Sequence, residues 1–282
     1  MCGYHSASAS YSASCSSCSS YSPLEKAVSS YSSASSSYSS SPQMQDLSYM
    51  ISASPNNTNI GRIYDSKETG KSMQYNNKDN YHNLSSPITR TYSHIPDDFL
   101  NPNRRMSVFI GSASEIKELV EEAFIATTGM PFPDDIQVHI LEKKEIAKLH
   151  TNLGGMWDNG IQGFAINRKN QGMISEIFIK KEQLDKIMIT LGHELGHVLT
   201  RKLDNAVDEE AKAFAFSIEW LRKIKELNIG NLSTAIQLDK PAANGLHNIA
   251  LDFVFRLLRE GKEALDIYKS LCMRLLSVKE NV

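Results

Sequence analysis

The hydrophobic pattern divides the chain into a polar N-terminal part and a periodic C-terminal part. Twenty of the first 41 residues are Ser and five are Tyr, with almost no aliphatic side chains, and the sequence stays polar and Pro-punctuated as far as Asn103. Such a segment buries too little apolar surface to offset its loss of chain entropy on folding. We therefore expect a disordered low-complexity tail and linker over residues 1–103 and one folded domain over residues 104–282.

In the periodic part, a small sheet is predicted ahead of a helical half. Short apolar runs and alternation predict strands at Met106–Ile110, Ile136–Leu141, Gly163–Asn167 and Ile174–Lys180, the last two forming a hairpin. Helical spacing predicts helices from about residue 112 to Gly129 and near 143–150, 182–201, 207–228, 241–260 and 262–277. This order is typical of an α+β fold with a small mixed sheet. The strand at 174–180 could accept an extended peptide at its side, although an ordinary sheet edge explains it equally well.

Charge and hydropathy narrow the classes of function. The chain has 30 Lys and Arg against 32 Asp and Glu, a net charge of -2, so it lacks the basic excess that favours nucleic-acid binding. It contains no apolar run long enough to span a membrane and no basic, apolar start typical of a secretory signal. We expect a cytoplasmic protein with neither nucleic acid nor membrane as a partner. The sequence leaves the oligomeric state open.

The predicted helix after the last strand carries an H-E-x-x-H motif. His193 and His197 lie four residues apart, so both imidazoles project from one helix face and can reach one tetrahedral metal ion. Glu194 then lies beside the open coordination position, where it can act as a general base. Two histidines and a glutamate in an otherwise apolar helix would be costly to bury without a metal to satisfy them.

A third protein ligand is expected from the next helix, because catalytic zinc usually has three protein ligands and a water. The candidates are Asp208, Glu209 and Glu210. A helical wheel places Glu210 at the centre of the apolar arc, Glu209 at its edge, and Asp208 on the opposite side with Lys212 and Glu219. An acid that faces the core needs a cation, so Glu210 is favoured, and the other two remain open.

Both motifs together resemble a known family. His193-Glu-Leu-Gly-His197 followed by Asp208-Glu-Glu-Ala-Lys-Ala-Phe-Ala215 resembles the gluzincin metallopeptidases, most nearly the ImmA/IrrE type, in which an acidic E-x-x-A-x-x-F-A helix follows the H-E-x-x-H helix. The resemblance covers approximately residues 106–228. It implies a zincin-like fold, one Zn²⁺ and peptide hydrolysis, with His193 and His197 as ligands and Glu194 as general base.

The leading hypothesis is therefore a zinc-dependent peptidase that acts on a protein or peptide substrate. The alternative is a non-catalytic binding or scaffold module with a structural zinc site, and a third possibility is a non-peptide amidohydrolase. An intact Glu194 favours an enzyme, since a structural site has no need of a general base. His247, on the apolar side of its helix, could stabilise an oxyanion, although a core histidine is the simpler interpretation.

Overall fold

The computed structural model describes residues 96–238 and 245–279, with side chains from Ile249 onward in the second range. Residues 1–95 of the predicted tail lie outside the described residues. Described strands and helices follow the order expected of an α+β fold. The strands are β1 (Ile136–Leu141), β2 (Gly163–Ile166) and β3 (Ser175–Lys180). The helices are α1 (Lys117–Thr128), α2 (Lys143–Asn152), α3 (Leu184–Val198), α4 (Ala206–Leu227), α5 (Gly245–Arg259) and α6 (Ala264–Cys272).

The three strands form a mixed sheet in the order β1-β3-β2. β1 pairs with β3 in parallel, and β2 pairs with β3 antiparallel, which confirms the predicted small mixed sheet and its hairpin. Along β1 the burial alternates, whereas five of the six β3 residues are buried, as expected for a central strand. β3 is therefore not a sheet edge and cannot accept a further strand, because both of its sides are already paired.

Helices α3 and α4 pack against each other at close range. A Cβ added to Gly196 of α3 would lie 2.6 Å from Cα of Ala213 in α4, and one added to Gly192 would lie 2.4 Å from Cδ1 of Trp220. The backbone of Ala213 fills the space beside Gly196 and the indole of Trp220 fills the space beside Gly192, so α4 lies closer to α3 than a side chain at either glycine would allow. The indole of Trp220 in turn donates a 2.9 Å hydrogen bond to the carbonyl of Met188, which fixes the register of the pair.

α4 is buried on nearly all sides, which corrects the helical-wheel picture of a polar outer face. Its residues from Glu209 to Leu221 are buried without a break. Lys212 and Glu219, placed opposite the apolar arc by the wheel, are 0% and 4% exposed. The reason is that α4 is central: α3, α6, α5 and α1 all pack against it. Each of its faces therefore meets a neighbouring helix.

The strand predicted at Met106–Ile110 is not formed. Met106, Val108 and Phe109 are 80%, 64% and 63% exposed, and the segment makes one isolated bridge, from Phe109 to Gln183. The segment instead accepts hydrogen bonds from the first turn of α3, whose amides have no partner within the helix. The amide of Leu184 donates to the carbonyl of Val108, and the next amide donates to a serine hydroxyl of the segment.

Packed structure extends to the N-terminal side of the boundary expected at residue 104. Pro96–Phe99 form a short 3-10 helix, and Phe99 and Leu100 are 0% and 3% exposed. Leu100 pairs with Ile236, the residue pair that attaches this segment to the chain beyond α4. Phe99 and Leu100 are only two apolar residues in a polar stretch and form no periodic pattern, so the sequence did not indicate this contact.

Across the described ranges, no helix combines the length and the hydropathy needed to cross a membrane.

Candidate metal centre

Two histidines of α3 and one glutamate of α4 lie together where the two helices meet. The Nε2 atoms of His193 and His197 are 3.3 Å apart. Oε2 of Glu210 lies 3.4 Å from Nε2 of His193, and its Oε1 lies 3.8 Å from Nε2 of His197. One ligand atom from each residue falls within 4.8 Å of the other two. These side chains form a candidate metal-binding triad.

Helix geometry explains why the triad assembles. His193 and His197 are one turn apart on α3 and project to the same side. His193 is buried, with its ring 4.8 Å from that of Phe214, measured between centroids. The side chain of His197 is 18% exposed, so the triad opens toward solvent on the His197 side. Glu210 reaches both imidazoles because the glycines of α3 allow α4 to approach closely.

The three acids at the start of α4 occupy different places. Among the described residues, Glu210 is the one that joins His193 and His197 in a possible ligand group. Asp208 points elsewhere: its Oδ1 accepts a 2.7 Å hydrogen bond from the amide of Val278, and its Oδ2 accepts one of 3.0 Å from the hydroxyl of Ser277. Asp208 thus anchors the segment that follows α6.

Glu209 contacts His197 at Nδ1, the outer nitrogen of the ring, which faces away from the rest of the triad. Its Oε1 lies 2.9 Å from Nδ1 of His197. Its Oε2 accepts a 2.7 Å hydrogen bond from the amide of Leu203 and lies 3.0 Å from Nζ of Lys212. Sequence reasoning considered Glu209 as a ligand or as a helix-start acid and missed this contact, because it depends on where the loop from 199 to 205 returns the chain.

The C-terminal end of α3 is held in place by two side chains. Nδ2 of Asn167, the residue after β2, donates hydrogen bonds of 2.6 Å and 2.7 Å to the carbonyls of His197 and Thr200. Nζ of Lys212 donates to the carbonyls of His197 and Arg201 at 3.4 Å and 3.2 Å. These carbonyls have no partner within the helix, so the two side chains fix the backbone at His197.

The charged side chains at the triad shift one another's pKa values. Burial raises the pKa of Glu194 to about 7, with the charge of Glu210 adding to the rise and His197 opposing it. Burial alone would lower the pKa of His197, but the hydrogen bond to Glu209 and the charges of the three acids outweigh it and raise that pKa to about 9. Burial would raise the pKa of Glu209, yet Lys212 and His197 hold it at about 2.

His139, His150 and Trp157 lie outside the triad. His150 is buried, with its ring edge-on to those of Phe164 and Trp157, and burial lowers its pKa. His139 stacks on an aromatic ring of β3. Trp157 packs against a small hydrophobic cluster between α2 and the sheet. The side chain of His247 lies outside the described residues.

Searches against protein-family models, curated protein sequences and solved structures found no match to this chain. The α+β architecture and the candidate triad are therefore observations on this molecule alone, and the resemblance to gluzincins rests on its two motifs.

Proposed function

We propose that this protein is a zinc-dependent peptidase of the gluzincin kind, with His193, His197 and Glu210 as the metal ligands and Glu194 as the general base. The observation that carries the proposal is the triad itself, two imidazoles and a carboxylate from adjacent helices within ligand distance of one another. Zinc commonly binds such a set in hydrolases, with the remaining position left to water. A structural zinc site usually has four protein ligands, so a group of three favours catalysis over the scaffold alternative.

Charge balance supports a divalent cation at the triad. With both histidines neutral, as metal binding requires, the three buried carboxylates (Glu194, Glu209 and Glu210) and the buried ammonium of Lys212 give this group a charge of -2. In the metal-free protein, protons on His197 and Glu194 offset most of this charge. A buried net charge of this size is unfavourable without a counter-ion. One dication neutralises the group, and two imidazoles with one carboxylate suit zinc better than calcium or magnesium, which prefer oxygen ligands.

The chain's own groups supply the proton transfers. When bound, the metal acts as a Lewis acid that polarises the substrate carbonyl and lowers the pKa of water. Glu194 takes a proton from the attacking water and delivers it to the amine that leaves. Burial raises the pKa of Glu194 in the metal-free protein, which moves it toward the range in which a general base works best near neutral pH.

β2 forms an edge of the sheet next to the site, and this edge supports a peptide as the substrate. β2 is paired with β3 on one side, and no strand of the described chain pairs with its other side. Asn167, directly after β2, is bonded to the carbonyl of His197, so this edge is connected to the metal-bearing helix. An extended peptide added along β2 would form main-chain hydrogen bonds there.

The test is a comparison of the wild type with Glu194→Gln on a peptide library derived from a cell proteome. We expect both proteins to hold one zinc ion and only the wild type to cleave, with a loss of at least about 100-fold in the variant. Equal cleavage by both would refute the role of Glu194. Zinc binding without cleavage by either would favour the scaffold alternative, and absence of zinc from both would refute the metal site.

A further inference from the structure

Glu209 and Lys212 form a buried pair directly behind His197. Lys212 is 0% exposed and Glu209 is 5% exposed. The two lie one turn apart on α4, with Nζ of Lys212 3.0 Å from Oε2 of Glu209. A buried lysine is rare and costly unless its charge is paired, so the pair needs an explanation beyond the stability of a helix start.

Both carboxylate oxygens of Glu209 are occupied in a way that aims one of them at the imidazole. Oε2 is held by the amide of Leu203 and by Lys212, which leaves Oε1 for Nδ1 of His197 at 2.9 Å. A carboxylate accepts hydrogen bonds and does not donate them, so Nδ1 must carry the proton. In the neutral imidazole that binds a metal, the lone pair then lies on Nε2, the nitrogen that faces His193 and Glu210.

We propose that Glu209 is a positioning residue that fixes the tautomer and orientation of His197 for metal binding through Nε2, and that Lys212 holds Glu209 in that position. This inference rests on the proposed metal function of the triad. Partners of this kind orient a ligand and raise its basicity, and their loss typically lowers metal affinity by about 10-fold to 100-fold. Lys212 adds a second constraint, because it also binds the carbonyl of His197 at 3.4 Å.

α4 itself offers a matched control. Glu219 is a second buried carboxylate on the same helix, 4% exposed, and it pairs with Arg222 at 2.7 Å. It is not part of the triad and makes no contact with His197 among those described. A change at Glu219 therefore reports the general cost of neutralising a buried acid in α4.

The experiment measures Zn²⁺ affinity of the full chain by competition with a chelator, for wild type, Glu209→Gln and Glu219→Gln. We expect Glu209→Gln to bind zinc about 10-fold to 100-fold more weakly and Glu219→Gln to bind as the wild type does. Unchanged affinity in Glu209→Gln, or an equal loss in both variants, would overturn the positioning role. A wild type that binds no zinc would refute the triad itself, and this inference with it, so the two failures are distinguishable.

A second measurement, made on the wild type, does not depend on whether a variant folds. Long-range proton–nitrogen NMR of the zinc-loaded wild type identifies which ring nitrogen of His197 bears hydrogen. We expect a proton on Nδ1 that exchanges slowly with solvent, and metal bound to Nε2. Zinc bound through Nδ1 would overturn the proposal.

The Lys212→Met variant, which removes the charge and keeps the approximate length, tests the second part of the proposal. We expect the Nδ1 proton of His197 to exchange faster in this variant, because Glu209 loses its ion pair with Lys212.

Discussion

Consecutive acids at the start of α4 have separate roles set by where each side chain points. Glu210 faces the histidines, Glu209 contacts the outer nitrogen of His197, and Asp208 binds the segment after α6. Neighbouring residues on a helix differ in direction by about 100°, so the three carboxylates reach different atoms; Glu209 and Glu210 contact opposite nitrogens of the same imidazole. Substitution of Glu210 or Glu209 should therefore weaken metal binding, the first by loss of a proposed ligand and the second by loss of positioning, whereas substitution of Asp208 should affect stability.

Replacing Glu210 by Gln removes the charge and keeps the shape. We expect zinc affinity to fall about ten-fold or more, since the carboxylate proposed as a ligand is lost. Asp208→Asn is the control: it should keep zinc affinity but lower the free energy of unfolding by about 1 to 3 kcal/mol, because two hydrogen bonds to a charged acceptor are weakened. Chelator competition and denaturant titration measure the two effects. The reverse pattern would show that the triad takes a different acid.

Zinc binding should release protons at neutral pH. In the metal-free protein the pKa of His197 is raised to about 9 and that of Glu194 to about 7. At pH 7, His197 is therefore charged and Glu194 is about half protonated, and a metal requires a free imidazole nitrogen. We expect the release of about one to one and a half protons per zinc and an affinity that rises from pH 7 to pH 9. Calorimetry in buffers of different ionisation enthalpy measures the release, and a pH-independent affinity would contradict it.

For the elements, the close contact between α3 and α4 sets the geometry of the triad. Gly192 and Gly196 flank His193 and Glu194, so the proposed ligand and general base share the same two turns with the residues that allow close packing. Because Glu210 belongs to the other helix, its distance to the histidines depends on the separation of the helices. The glycines are therefore part of the site although they offer no ligand.

Gly196→Ala should weaken both folding and metal binding. The new Cβ would lie 2.6 Å from the backbone of Ala213, which cannot move away as a flexible side chain can. We expect a loss of about 1 to 3 kcal/mol in unfolding free energy and weaker zinc binding. Gly111→Ala is the control, since its Cβ would meet only Oε1 of Glu115 at 3.4 Å; it should change stability by less than about 1 kcal/mol. Equal effects in both variants would contradict the packing argument.

How much the sequence predicts at this scale depends on the kind of signal. Period-2 and period-3.6 patterns located β1, β2, β3 and the described helices within a few residues, because amphipathic elements bury one face. The helical wheel correctly turned Glu210 inward, as the triad requires. It failed for Lys212 and Glu219, since a wheel reports which residues share a face and not how many neighbours surround the helix.

At the scale of the whole molecule, the two ends of the described chain make contacts near opposite ends of α4. The N-terminal segment pairs through Leu100 with Ile236, beyond the C-terminal end of the helix. The C-terminal segment is bound through Ser277 and Val278 to Asp208, at its start. A further tie joins Arg104 to the buried Asp185 of α3 at 2.6 Å. These contacts link residues far apart in sequence, which is why local patterns do not reveal them.

We therefore expect the segment from Pro96 to Asn103, which the sequence pattern assigned to the linker, to contribute to stability. Phe99 lies in the polar stretch assigned to the tail and is 0% exposed, whereas Phe109 lies in the predicted strand and is 63% exposed. We expect Phe99→Ala to lower the unfolding free energy by about 3 to 5 kcal/mol, the usual cost of deleting a buried aromatic ring. Phe109→Ala, the same change at an exposed site, should cost less than about 0.5 kcal/mol. Denaturant unfolding of the full chain compares them directly. If Phe109→Ala proved the more damaging, the order would match the sequence pattern, and the boundary predicted at residue 104 would be supported.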